Sequence, residues 1–197
     1  MAKSGSAKSH AGPPVLARKA TPDGELFVRR YFIDDSISEI TSLLHRAYAP
    51  QVAMGLKPLA GRQDDGVTTD RIANSECYLT LLRPSRAGPT PHRLVGVILL
   101  QEIEKAQFPS FFLRPDVAHF AQFAVDPDLQ GRGIGKLLLD VVEARARELG
   151  YRHLALSMAE PDAALRAFYE RRGFVFVEHW QWPYTNYRSC ILSKALA

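Results

Sequence analysis

The chain has 197 residues, 46% of them apolar and 23% charged, a balance that suits a globular protein with one sizeable core. No apolar run approaches the roughly 18 residues of a membrane span, and the N-terminus lacks the apolar stretch of a secretory signal. Two cysteines, Cys77 and Cys190, lie far apart and outside any C-x-x-C or Cys/His spacing. That argues against a disulfide scaffold and a cysteine-built zinc site, and it fits a reducing, cytoplasmic setting.

The net charge of +4 resides in one place. Of the 25 basic residues, Lys3, Lys8, Arg18 and Lys19 fall in the first twenty positions, where there is no acid, which leaves 21 basic against 21 acidic residues. A nucleic-acid binder concentrates its base on a folded face. Here the excess sits on a Ser/Gly/Ala/Pro-rich segment, so no nucleic-acid partner is expected, and residues 1–24 read as a disordered tail outside a domain of residues 25–197.

Along the chain, Leu26 to Phe32 reads as a first strand. Asp34-Asp35-Ser36 opens an amphipathic helix with Ile37, Ile40, Leu43, Leu44 and Tyr48 at helical spacing, which Pro50 should stop. Residues 50–66 mix glycine, proline and polar residues with Met54, Leu56 and Leu59, as an irregular connection does. Thr69 to Asn74 suggests a second helix. Cys77 to Leu82 and Leu94 to Glu102 read as antiparallel strands joined by a loop from Arg83 to Arg93. Ala118 to Val125 is another strand, ended by Asp126-Pro127-Asp128. Gly133 to Leu149 is the clearest helix, with Ile134, Leu137, Leu138, Val141, Val142 and Leu149 on one face and Gly150 at the C-terminal cap. His153 to Met158 is a strand and Asp162 to Arg172 a short helix closed by Gly173. Phe174 to Trp180 and Tyr187 to Leu192 are the last strands. Strands and helices are mixed without strict alternation, so the fold class is α+β, with a mixed, mostly antiparallel sheet and helices on both faces.

The most informative segment is Gln130-Gly131-Arg132-Gly133-Ile134-Gly135-Lys136, between a strand and the longest helix. Its glycines permit a tight turn and close approach of a ligand. The helix N-terminus presents unpaired N–H groups and about half a positive charge, to which Arg132 and Lys136 add. The result is a cradle for an anion, most naturally a pyrophosphate. A Walker A loop is excluded, because Gln130 and Leu137 stand where it requires glycine and Ser/Thr. A dinucleotide fingerprint is excluded because the third glycine comes one residue early.

The run from Phe123 to Leu138, with Gln130-Gly131-Arg132-Gly133-Ile134-Gly135 at its centre, resembles the acyl-CoA signature [Q/R]-x-x-G-x-[G/A] of the GNAT N-acetyltransferase superfamily. About thirty residues later, Asp162-Ala-Ala-Leu-Arg-Ala-Phe-Tyr169-Glu-Arg-Arg-Gly173-Phe174 resembles that family's second signature. The resemblance covers about residues 119–174, and the element order from about residue 26 to 193 agrees with it. It implies the GNAT fold, acetyl-CoA as co-substrate and no metal. It also implies that Phe123 and Val125 offer backbone groups to the pantetheine arm, and that residues 130–136 hold the pyrophosphate.

Transfer from a thioester to an amine needs a deprotonated acceptor, a donor for the carbonyl oxygen and a proton for the leaving thiolate. Tyr169 matches the tyrosine that the family places beside the sulfur as general acid. Where many members carry a glutamate as base, this chain has His119, whose imidazole suits proton acceptance near neutral pH. Glu102 is the alternative base; Gln122 can orient an acceptor or a water. The family's asparagine seven residues before the tyrosine is replaced by Asp162, which can instead cap the helix. Tyr48, Met54, Trp180, Trp182, Tyr184 and Tyr187 are candidates for the acceptor side, where aromatic walls would suit an apolar or cationic amine; packing or a homodimer contact would use them equally well. The expected activity is acetyl transfer from acetyl-CoA to a small-molecule amine, without membrane or nucleic-acid partners. Acetylation of a protein or peptide amine and a non-catalytic acyl-CoA sensor are the alternatives.

Overall fold

The computed structural model describes residues 12–86, 92–101 and 107–196. In chain order the elements are β1 (Val15–Thr21), β2 (Gly24–Arg30), α1 (Ile37–Ala53), α2 (Asp65–Ala73), β3 (Glu76–Pro84), β4 (Arg93–Leu100), β5 (Val117–Val125), α3 (Ile134–Glu148), β6 (His153–Ala159), α4 (Ala163–Glu170), β7 (Val175–Trp180) and β8 (Ser189–Ala195). The strands form one sheet in the order β1-β2-β3-β4-β5-β6-β8-β7. Its pairs are antiparallel except β5 with β6, which are parallel and joined through α3. A parallel neighbour needs such a crossover helix, and α3 supplies it.

Period-2 alternation divides the central strands between two apolar layers. Cys77, Leu79, Val97 and Leu99 face α1 through Ile40, Leu43 and Leu44. Tyr78, Leu82, Val95 and Ile98 face α3 through Ile134, Leu138 and Val142. Helix α3 comes so close that a Cβ on Gly96 of β4 would lie 2.9 Å from Leu138 Cδ1. It is also pinned electrostatically. Arg145 makes two 3.0 Å hydrogen bonds to Glu76. Burial of the Glu76 carboxyl would raise its pKa, but hydrogen bonds from Arg145 and Tyr78 and the charge of Arg30 outweigh it and hold the group at about 2.

Three expectations change. Residues 15–21, read as tail, are a strand: β1 runs antiparallel to β2 from Val15↔Arg29 to Thr21↔Gly24. The polar composition that suggested disorder is that of an edge strand with one solvated face. Pro50 does not stop α1, which continues to Ala53, because in the final turn the missing N–H costs one bond and few residues follow it. The second helix starts earlier than Thr69, at Asp65, where Asp64 accepts a hydrogen bond from the Val67 N–H at 2.8 Å as N-cap. Residues 87–91 of the expected loop, Glu102 and residues 1–11 lie outside the described residues.

The pairing of β1 makes the N-terminal strand part of the domain. A chain beginning at Glu25 loses that ladder and leaves β2 as a bare edge. With net values near 1 kcal/mol per hydrogen bond and a few degrees per kcal/mol for a domain of this size, it should melt about 5–10 °C below a chain beginning at Gly12. Calorimetric or circular-dichroism melts of the two chains check this; equal melting temperatures would make β1 dispensable.

Candidate active site

Strand β5 carries the feature that opens the site. Against β4 its register skips between Val97↔Ala124 and Leu99↔Ala121, and Gln122 there has φ +48°. One residue too many on one strand, held in a left-handed conformation, is a β-bulge, and it bends the strand. Against β6, pairing ends at Phe120↔Leu156. Beyond it Ala121–Val125 and Ser157–Ala159 border a cleft of about 660 Å³. A non-glycine residue in this conformation costs on the order of 1 kcal/mol or more, and a buried amide network offsets that. Gln122 Nε2 donates to Gln63 Oε1 at 2.8 Å, and Gln63 Nε2 donates to Thr68 Oγ1 at 2.8 Å. Thr41 Oγ1 in turn donates to Thr68 Oγ1 at 2.8 Å. Gln63 comes from the connection between α1 and α2, so that connection holds the bulge in place.

At the far end of β5, Phe123, Val125, Gln130, Gly131, Ile134 and Gly135 line the cleft. Gly131 and Gly133 have φ of +78° and +86°, a region L-residues avoid. A Cβ on Gly131 would meet nothing within 4 Å, whereas one on Gly135 would lie 3.0 Å from the Phe123 ring. The turn is therefore open on the cleft side and tight against β5 behind it. Gly133 is the N-cap of α3, whose first N–H groups have no partner within the helix. Arg132, Gly133 and Lys136 do not line the cleft: Arg132 is ion-paired with Asp23, and Lys136 with Asp140 at 2.6 Å.

Both expected catalytic side chains border the same cleft. Tyr169 of α4 is 4% exposed and packs against Phe120, Phe168 and Phe174. Burial, reinforced by Tyr48 and Asp162, pushes its hydroxyl well above the ordinary phenol range, so it carries its proton at neutral pH. His119 is 9% exposed. Its ring stacks on Phe112 at 4.6 Å and meets Phe108 edge-on at 5.2 Å, and its backbone N–H donates to Gln101 Oε1 at 3.1 Å. Asp162 caps α4 by accepting from the Leu165 N–H at 3.0 Å, and it also accepts from Gln51 Nε2 at 3.0 Å.

Tyr48, Trp182, Tyr184 and Tyr187 border the cleft as well. Trp180 instead packs on Trp182 at 6.2 Å, and Met54 is exposed. No local pattern marks Gln63, Arg71, Phe108 or Phe112; of these, Arg71, Phe108 and Phe112 line the wall. The connection after α1 is tied to the segment between β7 and β8. Arg62 donates to Tyr184 O at 2.7 Å, the Lys57 N–H to Asn186 Oδ1 at 2.7 Å, and Asn186 Nδ2 to Gly55 O at 2.9 Å. Away from this cleft, Glu160, His179 and Cys190 bring potential ligand atoms within 4.8 Å of one another. Arg188 already engages both Glu160 oxygens, at 2.7 and 2.8 Å.

With the splayed strand and the glycine turn at the helix N-terminus in view, comparison with known proteins identifies the family. The profile described as "Acetyltransferase (GNAT) family" matches residues 57–174. The chain belongs to the GNAT acetyltransferase family. S-(2-succino)cysteine N-acetyltransferase of Bacillus subtilis is 28% identical over 148 residues, covering 74% of this chain and 82% of that protein. Mycothiol acetyltransferase of Geodermatophilus obscurus is 46% identical over 50 residues, only 25% of this chain and 16% of that protein. Among solved structures, the Escherichia coli ribosomal-protein-S18-alanine N-acetyltransferase superposes with a TM-score of 0.60 at 16% identity, covering 87% of this chain and 94% of that one. A GNAT acetyltransferase from Elizabethkingia anophelis with acetyl-CoA bound gives 0.58 at 15% identity, covering 87% and 98%. These structures share the GNAT fold with this acyltransferase. Among the described residues, no helix is long and apolar enough to cross a membrane.

If the Gln63–Gln122 pair holds the bulge, Gln63→Leu leaves the Gln122 amide buried without its partner, at about 1–3 kcal/mol. A drop of about 3–10 °C in melting temperature is expected. Thermal unfolding checks it, and an unchanged melt would mean that the bulge stands without the amide pair.

Proposed function

We propose that this GNAT enzyme transfers the acetyl group of acetyl-CoA directly to the amine of a small molecule in the cytoplasm. The observation that carries the reading is one cleft bordered by the unpaired stretch of β5, the glycine turn, Tyr169 and His119. The residues present fit the co-substrate. Ala121–Val125 have no strand partner on the β6 side, which suits an extended pantetheine arm, and the open side of Gly131 suits a pyrophosphate. Phe123 and Val125 offer backbone groups, and Gln130, Gly131, Ile134 and Gly135 border the diphosphate position, with Arg132, Gly133 and Lys136 completing the turn behind them. When bound, acetyl-CoA supplies the acetyl group as a thioester.

His119 takes the proton of the amine as its nitrogen bonds to the acetyl carbon, directly or through a water. Tyr169 hydrogen-bonds to the sulfur as the carbon–sulfur bond breaks. Full proton transfer from an ordinary phenol to an ordinary thiolate runs uphill by about 1.5 pKa units, roughly 2 kcal/mol. Burial raises the Tyr169 hydroxyl further, so Tyr169 delivers its proton only as charge builds on the departing sulfur. Phe108, Phe112, Trp182, Tyr184 and Tyr187 wall the acceptor side, and three hydrogen bonds fix the connection after α1 to the segment that carries Tyr184. An aromatic wall of this kind suits a small amine. The names of the two curated relatives, a mycothiol and a succinocysteine acetyltransferase, support the same class.

In a thermal-shift screen, acetyl-CoA should raise the melting temperature and ATP should not; the reverse would sink the assignment. With an amine from an acceptor panel, Tyr169→Phe should lower turnover by roughly 10²-fold with little change in acetyl-CoA affinity. His119→Ala should lose rate most near neutral pH and regain part of it at alkaline pH, where more of the amine is already deprotonated. Full turnover in the first variant removes the acid role. A wild-type pH–rate profile in the second transfers the base role to Glu102 or solvent.

A further inference from the structure

The pyrophosphate turn is braced from outside the cleft by the N-terminal hairpin. Lys19 of β1 donates from Nζ to the Arg132 carbonyl at 2.9 Å, across 113 residues of sequence. The same amine lies against Gly133, where a Cβ would run into it. Asp23, at the tip of the hairpin, holds the Arg132 guanidinium. The motif's own cations are thus engaged elsewhere, Arg132 with Asp23 and Lys136 with Asp140, while the charge laid on the turn's backbone comes from β1.

A trans peptide is planar, with its C=O and N–H pointing in opposite directions. With the Arg132 carbonyl fixed toward Lys19, the Gly133 N–H of the same peptide is turned to the opposite side. That N–H is one of the donors at the start of α3, where the helix dipole already favours an anion. The ammonium on the carbonyl polarises this peptide and makes its N–H a stronger donor. It also removes the cost of ordering the turn when a ligand arrives.

From this geometry we infer that Lys19 is a positioning residue of the acyl-CoA site: it orients and polarises the 132–133 peptide so that the turn binds the diphosphate of the co-substrate. The inference rests on the acyl-CoA reading above. It assigns to a segment outside both sequence signatures a part in co-substrate affinity.

Calorimetric titration with CoA and with dephospho-CoA tests it. Lys19→Met keeps the stem and removes the charge. Loss of one charge-assisted hydrogen bond on an exposed turn should weaken CoA binding about tenfold. Dephospho-CoA retains the diphosphate, so its affinity should fall by the same factor. Lys19→Arg should recover most of the loss, and Lys19→Gln should behave like Lys19→Met, which guards against one variant failing to fold. A neutral variant should also lose part of the salt dependence of CoA binding, a change that a purely structural role of β1 would not produce. Unchanged affinity in both neutral variants would overturn the inference. So would a loss confined to CoA, which would put Lys19 on the 3′-phosphate, or a loss that Lys19→Arg does not repair. A wild-type protein that gives no heat with CoA would instead remove the acyl-CoA reading itself.

Discussion

The structure turns on the divergence of β5 from β6. Sheets are stable because neighbouring strands satisfy each other's backbone groups. Here that rule is suspended beyond Phe120, inside a continuous eight-stranded sheet. The opening cannot be an accident of weak pairing, because β5 remains paired with β4 on its other side as far as Gly96↔Val125. It is set by the left-handed residue Gln122, and that conformation is maintained from below by a side chain from another part of the chain. The bulge, the amide pair and the threonines beneath it form one mechanical unit, with the cleft as its product.

That arrangement also explains the division of labour within the site. In the proposed complex the groups that meet the extended pantetheine arm are backbone groups on a strand edge, and they need no particular side chain. In the proposed reaction the groups that handle protons are buried side chains from different elements, Tyr169 from α4 and His119 from the start of the splay. Aromatic packing fixes both rings. The burial that orders the tyrosine ring also pushes its hydroxyl further above the ordinary phenol range.

Much of this was legible in the sequence. The α3 stripe, the glycine turn and the second signature are local patterns, carried by residues a few positions apart, and each lies where its spacing suggests. Other features are not local. β1 reads as tail because Arg18, Lys19 and Ala20 are solvated and the strand buries little; what makes it a strand is pairing with β2, which no short window reveals. The left-handed Gln122 follows from a partner 59 residues away, Gln63, and glutamines carry no positional signature. Phe108 and Phe112 belong to an irregular segment whose path over His119 depends on the finished sheet. Asp162, by contrast, sits before an amphipathic run, and its capping of α4 follows from that position.

The sheet order has a consequence for the birth of the molecule. β8 is the last strand of the sheet in chain order, yet it lies inside it, between β6 and β7. Neither β7 nor the outer edge of β6 has its neighbour until β8 has been made. During synthesis the half-built sheet therefore exposes an unpaired edge beside the residues that will form the cleft, and such edges invite pairing with other chains. Closure waits for β8 to slide between two strands already in existence. A nascent chain stalled before Ser189 would hold the glycine turn and a core half-covered by α3, in a sheet that is still adhesive.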